Sequence, residues 1–362
     1  MEKRRLGRTG FEVSALGFGG GPVGFLGTEQ DEVTNIVNYL LDNGVNFIDT
    51  AAGYPGSEEA LGNAVSHRRD EYVLVSKCGQ AFDDLEGEAW SAQVIEQTVD
   101  RALRRLRTDR LDVMLLHSCE QEVLEKGEAV EALVKARDAG KIRHAGYSGD
   151  NEAVMYAAGL DVIDVVETSV NICDQANIET LLPEAKRRDI GVIVKRPVAN
   201  AAWLGVGQQP GFYANYTTSY AERFGAMELS PADLGLEADW AQIALRFTLA
   251  QDGVTTAIVG TTNPDNAKRN IEVAAKGPLP DEAIAMIRSA FAKAESASGE
   301  AWLGLRENGD YYLLLRRAHK RILEFKGEEV CLARFKEFAL STLPPFCLDP
   351  MGRRCWLMPV PT

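Results

Sequence analysis

The sequence contains no uninterrupted apolar run approaching the ~20 residues that cross a bilayer, so no membrane partner is expected. Its first residues are charged (Glu2, Lys3, Arg4, Arg5) and lack the apolar stretch that a signal peptide needs. Six cysteines are scattered without a C-x-x-C or similar pair. Neither a zinc site nor a disulfide framework is therefore indicated, and no metal is expected. Reduced thiols in a cytoplasmic protein are the simple reading. Positive charge is in deficit, with a net charge of −14, which argues against nucleic acid or an anionic membrane surface as a partner. Low-complexity tracts are absent.

What is present is an alternation. The 362 residues are enough for one large barrel or two ordinary domains. Arg5 to Ser14 reads as a hairpin around Arg8-Thr9-Gly10, and ALGFGG follows as a first buried strand. Val33, Ile36, Val37, Leu40 and Leu41 fall at helical spacing, with Thr28 as a plausible N-cap. Further strands are expected at GVNFID, YVLVSK, VMLLH, RHAGYSG, VVETSVN, GVIVKRPV and TTAIVGT, each followed by a helical pattern. The helices include Ser91 to Arg107, Glu125 to Ala139 and Ile178 to Arg188. Strands alternating with helices from start to finish imply parallel α/β architecture. Eight such units in roughly 250 residues fit a closed (β/α)8 TIM barrel.

The stretch from Gly44 to Gly62, GVNFIDTAAGYPGSEEALG, places a carboxylate (Asp49) and a phenol (Tyr54) just past a strand end, with Ser57 expected to cap a helix opening at Glu58. Lys77 ends YVLVSK and His117 ends VMLLH. Strand ends are where α/β barrels keep their chemistry. Together these four residues suit proton transfer to a carbonyl oxygen. A free phenol, with a pKa of about 10, is a poor acid at neutral pH, and an adjacent ammonium favours its ionised form. Lys77 can supply the ammonium, Asp49 can hold it charged, and His117 can orient the substrate oxygen. No nucleophile is needed if a nicotinamide brings a hydride.

Simpler readings exist for each residue alone. Asp49 and Lys77 would make an ordinary buried ion pair, His117 a satisfied core histidine, Tyr54 an exposed turn aromatic. Cys78 and Cys119 flank Lys77 and His117, but strand alternation turns them away from that side. Gly19-x-Gly21-x-x-Gly24 satisfies the dinucleotide fingerprint, with Asp49 25 residues beyond Gly24. A Rossmann helix would have to open at these glycines, whereas Pro22 interrupts and the helix is expected after Thr28. Near the end, GTTNPDNAKRN puts Gly260, Thr261, Thr262 and Asn263 at a helix start, a place suited to phosphate.

Over roughly residues 3 to 305 the sequence resembles the aldo-keto reductase family. DTAAGYPGSEEALG, VSK, LLHS, the opening RRLGRTGFEVSALGFGG and IVGTTNPDNAKRN carry the likeness, in that order. The resemblance implies an eight-stranded β/α barrel that reduces a small aldehyde or ketone with NADPH, NAD remaining possible. Asp49, Tyr54, Lys77 and His117 would be catalytic. Gly20, Ser148, Glu167, Lys195, Arg196, Gly260, Thr261, Thr262, Asn266 and Asn270 would meet the cofactor. Several positions depart from the family pattern. Asn266 stands where an arginine commonly holds the 2′-phosphate, Gly260 where a lysine is common, Ser148-Gly149 for Ser-Asn and Glu167 for Gln. Lys195 stands for the aromatic that stacks on the nicotinamide. Lys268 and Arg269 could substitute at the phosphate. A cation at Lys195 or Arg196 would disfavour the oxidised, cationic ring, with Glu167 offsetting it or pairing with Lys195. The contrasting reading is a barrel kept as a cofactor-binding sensor or partner subunit.

Two segments stand apart. Ala199 to Glu237 carries Trp203, Phe212, Tyr213, Tyr216, Tyr220 and Phe224. It reads either as a loop with its own small core or as a lid over the substrate pocket. Residues 307–362 hold nine Lys/Arg against seven Asp/Glu, a balance of +2, leaving −16 for residues 1–306. They are expected to be a C-terminal extension without a catalytic part, or else a docking segment. Oligomeric state is not legible.

Overall fold

The structure, a computed structural model, describes residues 1–209, 213 and 218–305. The chain divides into two units, Met1–Gly309 and Asp310–Thr362, and all described residues lie in the first. The expected C-terminal extension, Phe212 and Tyr216 lie outside them.

A two-stranded antiparallel sheet, β1 (Lys3–Arg5) and β2 (Glu12–Ser14), opens the chain. Eight parallel strands then close into a barrel: β3 (Leu16–Gly19), β4 (Phe47–Asp49), β5 (Val73–Cys78), β6 (Leu111–His117), β7 (Ile142–Ser148), β8 (Val165–Ser169), β9 (Gly191–Lys195) and β10 (Thr256–Val259), with β10 pairing back onto β3. The described helices are α1 (Gly21–Phe25), α2 (Gln30–Asp42), α3 (Ser57–Val65), α4 (Ala92–Leu106), α5 (Gln121–Lys126), α6 (Glu128–Asp138), α7 (Asn151–Gly159), α8 (Ala176–Glu179), α9 (Leu181–Arg187), α10 (Thr218–Met227), α11 (Trp240–Leu249), α12 (Pro264–Ala274) and α13 (Asp281–Ser298). The expected (β/α)8 TIM barrel with an N-terminal hairpin is the fold observed.

Alternation along each strand sorts the side chains into two clusters. Ile48, Leu74, Cys78, Met114, Leu116, Val166, Val192 and Val194 pack with the helices. Phe47, Val73, Val75, Val113, Leu115, Val165, Ile193 and Ile258 fill the barrel interior, together with Leu6 and Val13 of the hairpin segment. Burying each such side chain stabilises by about 1.5–3 kcal/mol. The hairpin therefore plugs one end of the barrel. Two residues further along the same strands, the inward positions become Asp49, Lys77, His117, Glu167 and Lys195. The period of two that fills the interior thus also turns the polar ring into the opposite, C-terminal mouth.

Local differences from the sequence reading have physical causes. Helix α2 starts at Gln30 after Glu29, with no side-chain cap, and Thr28 Oγ1 instead donates to Pro22 O. The segment read as one helix from Glu125 is α5 and α6, broken at Gly127 with φ +79°. The segment from Ile178 divides at Thr180, just before Pro183, whose ring cannot continue the hydrogen-bond ladder. A short helix, α1, does open at the glycine run, contrary to expectation, with Pro22 tolerated in its first turn. It ends after five residues, and the closed barrel rules out a Rossmann sheet.

Candidate active site

Asp49 is the last residue of β4, and the pairing with β5 continues beyond it through Thr50 N–H to Val75 O and Ala52 N–H to Lys77 O. The chain then turns, with Tyr54 N–H on Ala51 O, Ser57 N–H on Tyr54 O and Gly56 at φ +70°. Ser57 is the first residue of α3 rather than its cap. Its hydroxyl donates to Gly20 O at 2.9 Å and lies 2.9 Å from Thr50 Oγ1. The Gly20 N–H in turn donates to Asp49 O. These bonds tie the Tyr54 turn to the ends of β3 and β4. Gly24 is needed here, since a Cβ would come within 2.9 Å of the Tyr54–Pro55 backbone. The fingerprint glycine therefore serves the close approach of α1 to the tyrosine turn.

Lys77 is fully buried, and its Nζ donates to Asp49 Oδ1 at 2.6 Å, Asp49 Oδ2 at 2.7 Å and Thr50 O at 3.1 Å. The same ammonium lies 5.3 Å from the centre of the Tyr54 ring. The His117 ring meets that of Tyr54 edge-on at 5.9 Å between centres, and Phe25 packs on Tyr54 from α1 at 5.3 Å. All four expected catalytic residues are thus brought together at the mouth. Tyr54 is half-buried, while Asp49, Lys77 and His117 are buried. Cys78 and Cys119 are buried in the helix-facing layer, and desolvation pushes the Cys78 thiol far up, so neither is placed as a nucleophile.

Glu167 belongs to the same group. Its Oε2 lies 3.3 Å from Lys77 Nζ, and Ser148 Oγ donates to its Oε1 at 3.2 Å. Burial first, and then the Glu167 carboxylate, hold the Asp49 carboxyl well above the ordinary range, against the opposing pull of Lys77. Glu167 therefore pairs with Lys77 and not with Lys195.

Lys195 and Arg196 enter a second buried network. Lys195 Nζ lies 3.2 Å and Arg196 NH1 3.9 Å from Asp150 Oδ2, and Asp150 Oδ1 accepts from Thr168 Oγ1 and Ser169 N–H. Burial alone would raise the Asp150 carboxyl, but the two cations and these hydrogen bonds outweigh it and hold it low. Arg196 NH1 also donates to Ser169 Oγ and Leu305 O, both at 2.7 Å. Asp174, from the loop after β8, accepts from Tyr220 O–H at 2.8 Å and Leu305 N–H at 3.3 Å. Burial and the nearby Asp150 push it up to about 7. Asp150 was visible in the sequence only as a residue following Ser148-Gly149. Asp174 carried no signal at all, because it lies in an irregular loop.

The remaining expected cofactor residues are on the rim. Gly260 touches β3: a Cβ there would stand 2.5 Å from Gly19 O and from Pro22 Cδ. A lysine cannot occupy that position without parting the barrel seam. Thr261 and Thr262 are half-exposed before α12, where Asn263 Oδ1 caps Asp265 N–H and Thr261 Oγ1 accepts from Asn263 N–H. Asn266 is exposed and Asn270 half-buried on α12, and Arg269 is bonded to Asp239. Of the aromatic segment, Tyr220 is fully buried and Phe224 packs on Trp240 at 4.9 Å, as in a small local core. Tyr213 reaches the opening loops, since a Cβ on Gly21 would be 3.1 Å from its hydroxyl.

A nicotinamide dinucleotide fits these residues at two points. The buried Glu167 Oε2 has no hydrogen-bond partner, so it remains an acceptor for a carboxamide N–H. A helix start flanked by threonines lies at the rim, suited to phosphate.

Fold and mouth together define a (β/α)8 barrel of the enzyme type, with a buried ion-pair ring at its C-terminal face. The chain belongs to the aldo/keto reductase family, whose model matches residues 15–292. It is 28% identical over 306 residues to the uncharacterized oxidoreductase YqkF of Bacillus subtilis (strain 168), covering 80% of this chain and 96% of that one. It is 27% identical over 285 residues to L-galactose dehydrogenase of Arabidopsis thaliana, covering 75% and 87%. Among solved structures, the holo form of aldo-keto reductase AKR11C1 from Bacillus halodurans superposes with a TM-score of 0.69 at 27% identity, covering 80% of this chain and 96% of that one. Aldo-keto reductases are in general NAD(P)H-dependent oxidoreductases, and the comparisons support that general activity. Among the described residues no helix is long and apolar enough to cross a membrane.

Proposed function

We propose that this protein reduces an aldehyde or ketone to an alcohol with NAD(P)H, Tyr54 acting as general acid. The observation that carries the reading is the Lys77 ammonium, held by Asp49 at 2.6 Å and lying 5.3 Å from the Tyr54 ring centre, with His117 beside the same ring. A nicotinamide held at this mouth would supply the hydride for the carbonyl carbon. Tyr54 gives its hydroxyl proton to the carbonyl oxygen, and the ammonium stabilises the phenolate left behind. His117 orients that oxygen, and the buried Asp49 keeps Lys77 in place. Ser148 and Glu167 offer the nicotinamide carboxamide its hydrogen-bond partners.

The resemblance favours NADPH. On α12, however, Asn266 is neutral and Arg269 is engaged by Asp239, leaving Lys268 as the nearby exposed cation for a 2′-phosphate. We infer that NADH is accepted as well. A relative named NADH-specific methylglyoxal reductase, from Escherichia coli (strain K12), is 24% identical over 303 residues. Cys78, Cys119 and Cys173 are buried, and the reducing, cytoplasmic setting expected from the sequence is kept in this reading. The test is a panel of aldehydes and ketones with each reduced cofactor, followed by loss of nicotinamide absorbance. Steady substrate-dependent oxidation is expected. Tight cofactor binding without turnover on any carbonyl, or on the matching alcohols with oxidised cofactor, would favour the sensor or partner-subunit reading instead.

A further inference from the structure

Lys77 is one ammonium facing two buried carboxylates. Asp49 takes its N–H groups through both oxygens, whereas Glu167 Oε2 stands 3.3 Å away without receiving a hydrogen bond. All three side chains are at most 1% exposed. Lys77 is the only ion-pair partner of Glu167 among the described residues. Among the described residues, the other charged or titratable groups around the mouth include Tyr54 and His117, then Lys195 and Arg196 against Asp150, with Asp174 behind them, and Tyr213 at the opening loops. With both carboxylates charged beside one cation, a net negative charge would stand in a dry site, which is costly.

Resting on the reading of this mouth as a nicotinamide site, we propose that Asp49 and Glu167 hold one proton between them across Lys77, and that binding of the oxidised, cationic cofactor expels this proton to solvent. With the proton in place the trio is neutral. A cationic ring beside Glu167 favours the ionised pair, so the proton leaves and the added positive charge is balanced. A neutral reduced ring leaves the proton where it is. Glu167 thereby makes the preference between oxidised and reduced cofactor depend on pH. A glutamine at this position would hold no such proton. Glu167 acts here as a positioning residue for charge, not as a group that reacts.

The experiment uses the full chain with NADP⁺, NADPH, NAD⁺ and NADH. Dissociation constants are read by protein fluorescence from pH 5.5 to 9, and protons released by calorimetry in buffers of different ionisation enthalpy. Ionisation of the 2′-phosphate is common to both members of the NADP pair and cancels in the comparison. The oxidised cofactor should release close to one proton more than the reduced one, and its relative affinity should rise with pH by up to about tenfold per unit. In Glu167→Gln this difference and its slope should vanish, and in Glu167→Asp, which keeps a carboxylate, they should return in part. Equal proton release by both cofactors in the wild type overturns the proposal, whatever the variants do. So does a release that survives Glu167→Gln, which assigns the proton to His117 or another group, or one that disappears in Asp174→Asn alone. If neither cofactor binds, the reading of the site itself fails, and this inference falls with it.

Discussion

Lys195 Nζ lies 3.2 Å from Asp150 Oδ2, with both side chains buried. The cation at the end of β9 therefore shares with Arg196 a carboxylate just past the end of β7, and Glu167 is committed to Lys77. The part expected of Glu167, to offset a cation at Lys195 or Arg196, is taken by Asp150, which faces both. Charge at this mouth is shared: one cation, Lys77, faces two carboxylates, and one carboxylate, Asp150, faces two cations.

Tyr54→Phe removes the phenolic proton and leaves the ring's packing against Phe25 and His117 in place. Turnover should fall by the ~10²–10⁴-fold typical of losing a general acid, with cofactor affinity nearly unchanged. Stopped-flow turnover beside fluorescence titration measures both. Near-normal turnover would remove Tyr54 from its assigned role.

Lys77→Met should destabilise the fold as well as the reaction. It strands Asp49 and Glu167 without their cation, and removing one partner of a buried pair costs about 3–5 kcal/mol. The cost should be larger at pH 8 than at pH 6, where the stranded carboxyls can take up protons. Adding Glu167→Gln should recover part of it. Urea denaturation of the single and double variants at both pH values checks this. A single variant as stable as wild type would contradict the observed pairing.

Asp239→Asn should improve the use of NADPH selectively. Asp239 caps α11 through Gln242 N–H and also engages Arg269. Asparagine keeps the cap and releases the guanidinium toward Asn266 and the expected 2′-phosphate. The KM for NADPH should fall several-fold, about the effect of one exposed charge contact of roughly 1 kcal/mol, while that for NADH stays put. Parallel changes in both would show that Arg269 does not face the 2′ position.

Asp174 gives a pH signature to stability. Its folded value of about 7 exceeds the ordinary carboxyl value of 3.8. Between these, the unfolded chain has released the proton that the folded chain still holds. Stability should therefore fall as pH rises from about 4 to about 7 and level off above, by an amount on the order of a few kcal/mol at 1.36 kcal/mol per pKa unit. Asp174→Asn keeps an acceptor for Tyr220 and Leu305 and should flatten this slope. Chemical denaturation across that range tests it, and a slope unchanged in the variant would place the titrating group elsewhere.

The sequence by itself determined the architecture and the place of the candidate side chains. Eight strand-helix alternations and a period of two along each strand were enough to bring Asp49, Lys77 and His117 to one mouth, because inward-facing positions repeat regardless of what closes the barrel. Tyr54 joins them from the turn after β4. Helix ends were less legible. Breaks at Gly127 and Thr180 and the start at Gln30 depend on local backbone angles and capping that composition does not reveal. Only the tertiary structure decided which charge meets which. Lys77 and Glu167 are 90 residues apart on strands that do not pair, and Lys195 and Asp150 are 45 apart, Asp150 lying just past the end of β7. Strand register and barrel closure set those distances, and burial then strengthens each contact. The same closure gave Gly24 and Gly260 their purpose. Two backbones approach there more closely than a side chain allows, and no pattern within either segment records its neighbour.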